Sequence, residues 1–474
     1  MLTNPVVVAL LGIGSLAVGA LMLIHPVGPA LFILATTPFD PIMFNLFGFV
    51  GNLVIVAPFL VFLFRSPVEG MVQSILGTPV QRAVALATVV LLFSFVQSVD
   101  KLGYYIFPIY GQRAALFLIV GVIAASMRTP ERTISVVQIF VISMALFTLL
   151  SMLEFYAGIA IVPSAGLTEW GEAGLIGGSI EEYTPAGSFR LRGAGESIPI
   201  NRLALQLLLP LFLAVGWVVS RERTRLRLLG GISVGVLFLG LLGTMSRSGM
   251  LGFIAGMAVV AVRHFRVRLA GMIGIMAVAV AALWLGTLFA SIAGFGEVLE
   301  SRWSTEDAGS MATTRFSNWV HGLKLFADSP LFGVGWGNYS TANVPRPYGA
   351  PDPHNAYVRL MAWQGFVGLA SIGYMIYAVL RGFLRQYRHV GDELRHWTPF
   401  FLAGFIGILV TNLANSYLFD RHLYIAIGFA AALEHVELRA LRREGMEHAR
   451  AWQQSAETTE ALSPGVPSAL QEGS

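Results

Sequence analysis

LALQLLLPLFLAVGWVVS (Leu203–Ser220), then RERTRLR (Arg221–Arg227), then LLGGISVGVLFLGLLGT (Leu228–Thr244) is the stretch on which the fold turns. Two runs without a formal charge flank a linker that carries Arg221, Arg223, Arg225 and Arg227. A bilayer core of about 30 Å needs about 20 apolar residues in a helix. In lipid each backbone N–H and C=O must be paired inside its own segment, so the expected form is a helical hairpin. Short loops rich in Arg and Lys stay in the cytoplasm, so the hairpin tip points inward.

The same alternation runs outward in both directions. Charged residues are 12% of the chain, hydrophobic residues 55%, and the mean hydropathy is +0.69. Soluble domains carry about 25% charged residues, so lipid must cover much of this surface. Further candidate spans are Val6–Ile24, Phe44–Phe64, Ala83–Val99, Ala114–Ala125, Ile134–Leu153, Met250–Val262, Leu269–Ile292, Tyr357–Leu380, Pro399–Leu418 and Leu423–Glu437. Val27–Thr37 is apolar, short and ringed by prolines, and is either a re-entrant piece or an extra span. No Lys or Arg precedes Val6, so Met1–Ile24 reads as a retained first helix rather than a secretory leader. The fold class is all-α, a polytopic integral membrane protein of about 12 transmembrane helices.

With that count, Arg65 and Arg82, Arg128 and Arg132, Arg263 to Arg268, Arg381 to Arg395 and Arg439 to Arg450 share one side, the cytoplasm. Two long loops then fall on the periplasmic side. The expected layout is 1–153 N-terminal transmembrane helices, 154–200 a first periplasmic loop, 201–292 central helices, 293–355 a large periplasmic loop, 356–437 C-terminal helices and 438–474 a disordered cytoplasmic tail. Within the large loop the spacing of Phe316, Trp319, Leu323 and Phe326 is helical and predicts an interfacial helix.

Composition also excludes chemistries. Cysteine is absent, which removes disulfides, thiolate nucleophiles and Cys-based metal sites. No Asp-x-Asp pair is present to hold a hard cation, so no metal and no cofactor are expected. No P-loop is present. A net charge of +4 with no long basic run early in the chain argues against nucleic acid.

Chemistry-bearing residues collect at the outer edge. Arg247 sits between two apolar runs, in Met245-Ser246-Arg247-Ser248-Gly249. An ionised group near membrane depth is a functional candidate, the bland reading being an interfacial cap that snorkels. Arg190, Arg192 and Arg202 cluster where the first outer loop meets the next helix. A guanidinium matches phosphate oxygens bidentately, though Glu181, Glu182 or Glu196 could pair with these instead. Arg315 stands four residues before Trp319, and Gly333-Val334-Gly335 follows as a turn. His354, in Pro353-His354-Asn355, stands at the mouth of the next span, where imidazole can accept a hydroxyl proton, with Asp352 or Asn355 as candidate orienters.

At these residues the sequence resembles the O-antigen ligase and O-antigen polymerase superfamily of bacterial membrane glycosyltransferases. The pieces are Arg190 to Gly193, Ser246 to Gly249, Arg315 with Trp319, Pro330 to Gly335, His354 to Tyr357, and Gly365 to Gly368. The resemblance implies a GT-C-like fold in the bacterial inner membrane. It implies metal-independent, inverting transfer of a glycan from an undecaprenyl diphosphate donor to a lipid A core or a lipid-linked glycan acceptor. By the same resemblance Arg190, Arg247 and Arg315 hold the diphosphate, His354 activates the acceptor, and Arg192, Ser246, Asn355 and Trp319 support them. Two departures stand out: Trp363-Gln364 where the family often has Glu, and a longer stretch from Ala194 to Asn201. Competing readings are a protein-glycosylating relative, a glycan-lipid transporter or flippase without covalent chemistry, and a structural membrane partner. A transporter tends to place polar sites at midplane, whereas here the ionisable groups gather at the edge.

Overall fold

The computed structural model describes residues 27–37, 61, 76–102, 106–157, 191–192, 198–220, 224–264, 305–335, 353–389 and 392–462. The expected spans Val6–Ile24 and Leu269–Ile292, nearly all of Phe44–Phe64, and most of the first outer loop lie outside these residues. The described residues fold as helices: α1 (Gly28–Thr36), α2 (Pro79–Leu102), α3 (Ile106–Ser126), α4 (Pro130–Ala157), α5 (Ile200–Val218), α6 (Thr224–Thr244), α7 (Arg247–Arg263), α8 (Thr305–Asp328), α9 (Ala356–His389), α10 (Asp392–Arg395), α11 (Thr398–Thr411) and α12 (Arg421–Leu462).

Five of them contain a stretch long and apolar enough to cross a membrane: Pro79–Ser98, Pro130–Tyr156, Ile200–Val218, Thr224–Thr244 and Ala356–Arg385. Their lipid-type surfaces differ. In α5, 83% of the apolar window is buried in the protein, against 28% in α6. Helix α5 is therefore the centre of the bundle, with α4, α6, α7 and α11 packed around it. Helix α1 is real but short. Its 9 residues reach only about 13 Å at 1.5 Å per residue, too little for a span.

The tightest packing joins α7 to α11. A side chain at Gly252 would lie 2.6 Å from the Gly407 carbonyl, and one at Gly256 would lie 2.8 Å from the Ala403 carbonyl. Small residues let the two backbones touch, which is how helices associate without a hydrophobic drive. The contact carries Ser248, at the start of α7, onto the last turn of α11.

Two sequence expectations change, one at this end and one at the far end of α12. The span expected over Pro399–Leu418 stops at Thr411. Asn412 Nδ2 and Asn415 Nδ2 donate to the Ile408 and Thr411 carbonyls, and Asn412 Oδ1 accepts from Tyr417 N–H. Carboxamides that bond locally to backbone in this way end helices. The tail expected to be disordered from residue 438 instead continues α12 as helix to Leu462. A buried helix supplies the nucleus, and propagation from it adds a hydrogen bond per residue without a new nucleation penalty.

Helix α9 is broken. Gly365 takes φ 63° and ψ −156°, a conformation open essentially to glycine alone. Residues 330–335 fill the break. Val334 and Gly335 N–H donate to the Ala362 and Trp363 carbonyls at 2.9 and 3.0 Å, while Phe366 and Val367 N–H donate to the Pro330 and Leu331 carbonyls at 2.8 and 3.1 Å. Backbone groups freed by the kink thus find partners, as an apolar setting requires. The glycine string read as a turn is one half of a backbone clasp, and Gly365 is the other half.

Candidate active site

Chain direction brings the first residues of α5, α7, α9 and α12 and the last turns of α6 and α11 to one end of the bundle, here called the rim. The bonds that assemble it are short. Ser246, the N-cap of α7, accepts from Gly249 N–H and donates through Oγ to Asn201 Oδ1 at 2.8 Å. Asn415 Nδ2 donates to Ser248 Oγ at 2.7 Å, and Thr411 Oγ1 contacts the Ser248 carbonyl at 3.2 Å. Ala356 N–H, opening α9, donates to the Asn412 carbonyl at 3.0 Å. Leu191 N–H donates to the Gly243 carbonyl at 2.8 Å, which sets residues 191–192 beside the end of α6. Each helix start carries a partial positive charge, so four of them at one rim favour an anion.

Arg247 is exposed as the first residue of α7, directly after its cap. Arg315 is half-buried on α8, one turn before Trp319. Trp319 Nε1–H donates to the Pro353 carbonyl at 2.7 Å, tying α8 to the residue before His354. His354 is half-buried and held at φ 47°. Asn355 caps α9, its Oδ1 accepting from Tyr357 and Val358 N–H at 3.0 and 3.1 Å. The Asn355 carboxamide oxygen thus fixes the start of α9 directly after His354. Arg192 is half-buried at the rim. Arg190 and Asp352 lie outside the described residues.

Among the described residues, the non-glycines with positive φ are Met245, at 49°, and His354, at 47°. Each stands immediately before an N-cap, Ser246 or Asn355. Left-handed backbone disfavours residues with a Cβ by about 1–2 kcal/mol, and such strain clusters at functional sites. Both strained residues therefore mark the two helix starts where the sequence analysis placed Arg247 and His354.

The structure gives Arg202, already a candidate in the sequence, a carboxylate partner, and adds Gln206, Arg359, Asp420 and His422, which the hydropathy reading passed over. Arg202 Nε–H donates to Asp420 Oδ2 at 2.9 Å and Gln206 Nε2–H to the same oxygen at 3.1 Å. His422 bonds Asp420 Oδ1 through both its backbone N–H and Nδ1, each at 3.0 Å. Burial works against ionisation of Asp420, but the His422 hydrogen bond and the Arg202 charge outweigh it and hold the carboxyl well below its usual range. Arg359 lies 4.0 Å above the Trp363 ring and donates to the Ser416 carbonyl. The signal for these residues was present as Asn412, Asn415 and Asp420 interrupting an apolar run.

The far end of the bundle has a different character. Val80 N–H, opening α2, donates to Glu434 Oε2, Arg385 pairs with Glu437 at 2.9 Å, and His396 Nε2 meets the Gly216 carbonyl at 3.0 Å. Among the described residues, Arg82, Arg128, Arg132, Arg225, Arg227, Arg263, Arg385 and Arg395 belong to that end.

Residues 232–373 match the family model described as O-antigen ligase. The match covers Ser246–Gly249, Arg315, Trp319, Pro330–Gly335, His354 and Gly365–Gly368, and it supports the O-antigen ligase and polymerase superfamily. Together with the apolar helices it indicates a membrane protein in polysaccharide biosynthesis. No curated protein matches the chain.

Proposed function

We propose that this member of the O-antigen ligase and polymerase superfamily transfers a glycan from undecaprenyl diphosphate to an acceptor hydroxyl at the periplasmic face of the inner membrane. The observation that carries the reading is His354, held in a strained turn at a rim built from four helix starts. The arginine-rich end faces the cytoplasm under the positive-inside rule, so the rim faces outward. The expected twelve spans and two periplasmic loops would carry the same orientation.

The chemistry is a single displacement. The acceptor oxygen forms a bond to the anomeric carbon as the bond from that carbon to the diphosphate oxygen breaks, inverting the centre. The acceptor proton passes to the His354 imidazole. Charge that develops on the leaving diphosphate is met by Arg247, Arg315 and Arg190, with the helix starts of the rim behind them. Ser246 and Asn355 fix those helix starts, Trp319 fixes the strand of chain before His354, and Arg192 adds charge at the rim. Cationic side chains supply the stabilisation, so no metal is required.

Ligase and polymerase differ in the acceptor. The ligase reading, with lipid A core as acceptor, is favoured by the description of the matching family. The test uses purified protein, undecaprenyl diphosphate-linked glycan and lipid A core. Product is expected with the wild type and none with His354→Ala. Transfer retained by His354→Ala overturns the catalytic assignment, and glycan crossing the bilayer without product would favour a transporter.

A further inference from the structure

Capping α7 takes one hydroxyl, that of Ser246, yet four side chains are joined in a row at this point of the rim. Asn415 Nδ2 lies 2.7 Å from Ser248 Oγ, Ser248 Oγ lies 3.1 Å from Ser246 Oγ, and Ser246 Oγ lies 2.8 Å from Asn201 Oδ1. Ser246 and Asn415 are 0% and 2% exposed. The row begins between α11 and α12, crosses the start of α7 and ends in the first turn of α5.

One order of hydrogens gives every hydroxyl in the row an acceptor. Asn415 Nδ2 also donates to the Thr411 carbonyl at 3.0 Å, and a carbonyl can only accept. That fixes the amide end of Asn415, so Ser248 Oγ accepts from it. A hydroxyl has one hydrogen and two lone pairs. Ser248 gives its hydrogen to Ser246 Oγ, which also accepts from Gly249 N–H at 3.2 Å. Both lone pairs of Ser246 are then filled, and its own hydrogen goes to Asn201. Within that carboxamide only the oxygen can receive it. The opposite order would leave the Ser248 hydrogen without an acceptor in the row.

This order decides what Asn201 presents to the rim. Its oxygen is turned inward, and its Nδ2 has no hydrogen-bond partner among the described residues. The residue is half-buried, so the amide end is left open. A carboxamide nitrogen offers two N–H and no lone pair, which suits an oxygen that only accepts, as on a phosphate. The residue that follows the Ser246 cap is Arg247, so whatever Arg247 holds lies beside Asn201. The cap itself needs neither Ser248 nor Asn415. A buried polar row with its bonds made is rigid and specifies one arrangement, which is what a preorganised donor requires.

We propose that Asn201 is a further binding residue for the donor diphosphate, acting through Nδ2, and that Ser248 and Asn415 are positioning residues that keep its amide end outward. The proposal rests on the donor reading given above.

The test measures binding of undecaprenyl diphosphate without sugar to full-length protein in detergent, with the melting temperature read on the same samples. Asn201→Ala is expected to raise Kd about tenfold or more. Asn201→Asp keeps an oxygen for the Ser246 hydrogen but turns an anionic oxygen outward. It should melt closer to wild type than Asn201→Ala and yet bind more weakly than it. A brace between α5 and α7 would order the two variants the same way in both measurements. Wild-type Kd in Asn201→Ala, or wild-type Kd and melting temperature together in Asn201→Asp, therefore overturns the proposal. Where Asn201→Ala fails to fold, Asn201→Asp decides. Ser248→Ala cuts the row and is expected to raise Kd about threefold, with recovery in Ser248→Thr and no further change in the Asn201→Ala background. An equal rise in both backgrounds overturns the positioning role. Arg247→Ala separates the two claims. Binding lost there but kept in both Asn201 variants overturns this inference alone. A wild type that binds no undecaprenyl diphosphate overturns the donor reading and this inference with it.

Discussion

Gly365→Ala should be among the most damaging single-methyl changes in the described bundle. Gly365 has φ 63°, and an added Cβ would lie 2.5 Å from the Leu331 carbonyl carbon and oxygen and 2.6 Å from Gly333 N. These are backbone atoms and cannot rotate away. If the clasp holds, the residue bears about 1–3 kcal/mol of backbone strain plus the overlap. If the clasp opens, its four backbone hydrogen bonds go, at about 0.5–1.5 kcal/mol each. Either route gives a loss of about 2 kcal/mol or more, a large part of the ~5–15 kcal/mol that stabilises a typical domain. The matched control is Gly373→Ala on the same helix, where a Cβ meets nothing within 4 Å. That change should be neutral or stabilising by up to about 1 kcal/mol. Thermal unfolding in detergent, followed by tryptophan fluorescence, compares the two. Equal melting temperatures for Gly365→Ala and Gly373→Ala would refute the clasp.

Three further outcomes are expected. His354→Gly relieves a left-handed φ of 47° but loosens the unfolded chain, so its stability should stay within about 1 kcal/mol of wild type while transfer falls about a hundredfold or more; a matching loss of stability would mean that the imidazole is packing. Ser246→Ala removes the α7 cap and leaves Asn201 Oδ1 without its donor, a loss of about 2–4 kcal/mol readable by the same melts, with Ser246→Thr recovering part of it. His264, past the end of α7, has its pKa lowered by burial and by His396. Its unfolded form takes up a proton first as pH falls through about 6.5, so its contribution is complete above that pH and declines below it. His264→Gln should flatten the pH dependence of the melting temperature below about pH 6.5, and an unchanged slope would assign that dependence elsewhere.

Hydropathy made the helices legible because lipid imposes the same demand on each span, and the helical spacing of Phe316 and Trp319 was enough to place α8. Three features stayed hidden for physical reasons. The clasp is a backbone pairing between segments about thirty residues apart, so Pro330–Gly335 carries no side-chain pattern that names Ala362 and Trp363 as partners. The end of α11 depends on where Asn412 and Asn415 send their carboxamides, and either residue could equally have faced a neighbouring helix inside a span. The helix beyond residue 438 has a polar, exposed surface through residue 455, which composition cannot tell from disorder. At the rim, His354 and Arg247 declared themselves as ionisable groups beside apolar runs. Asp420 did not, because its meaning lies in Arg202, 218 positions away.

The clasp also buffers the strained turn. The chain leaves its pairing with the break in α9 at Gly335 and opens α9 itself after Pro353, and both points are moored, one by a backbone bond to Trp363 and the other by Trp319. The strained turn at His354 is thereby held from α8 on one side and from its own helix on the other, so a strain imposed on either mooring is shared with the bundle before it reaches the imidazole.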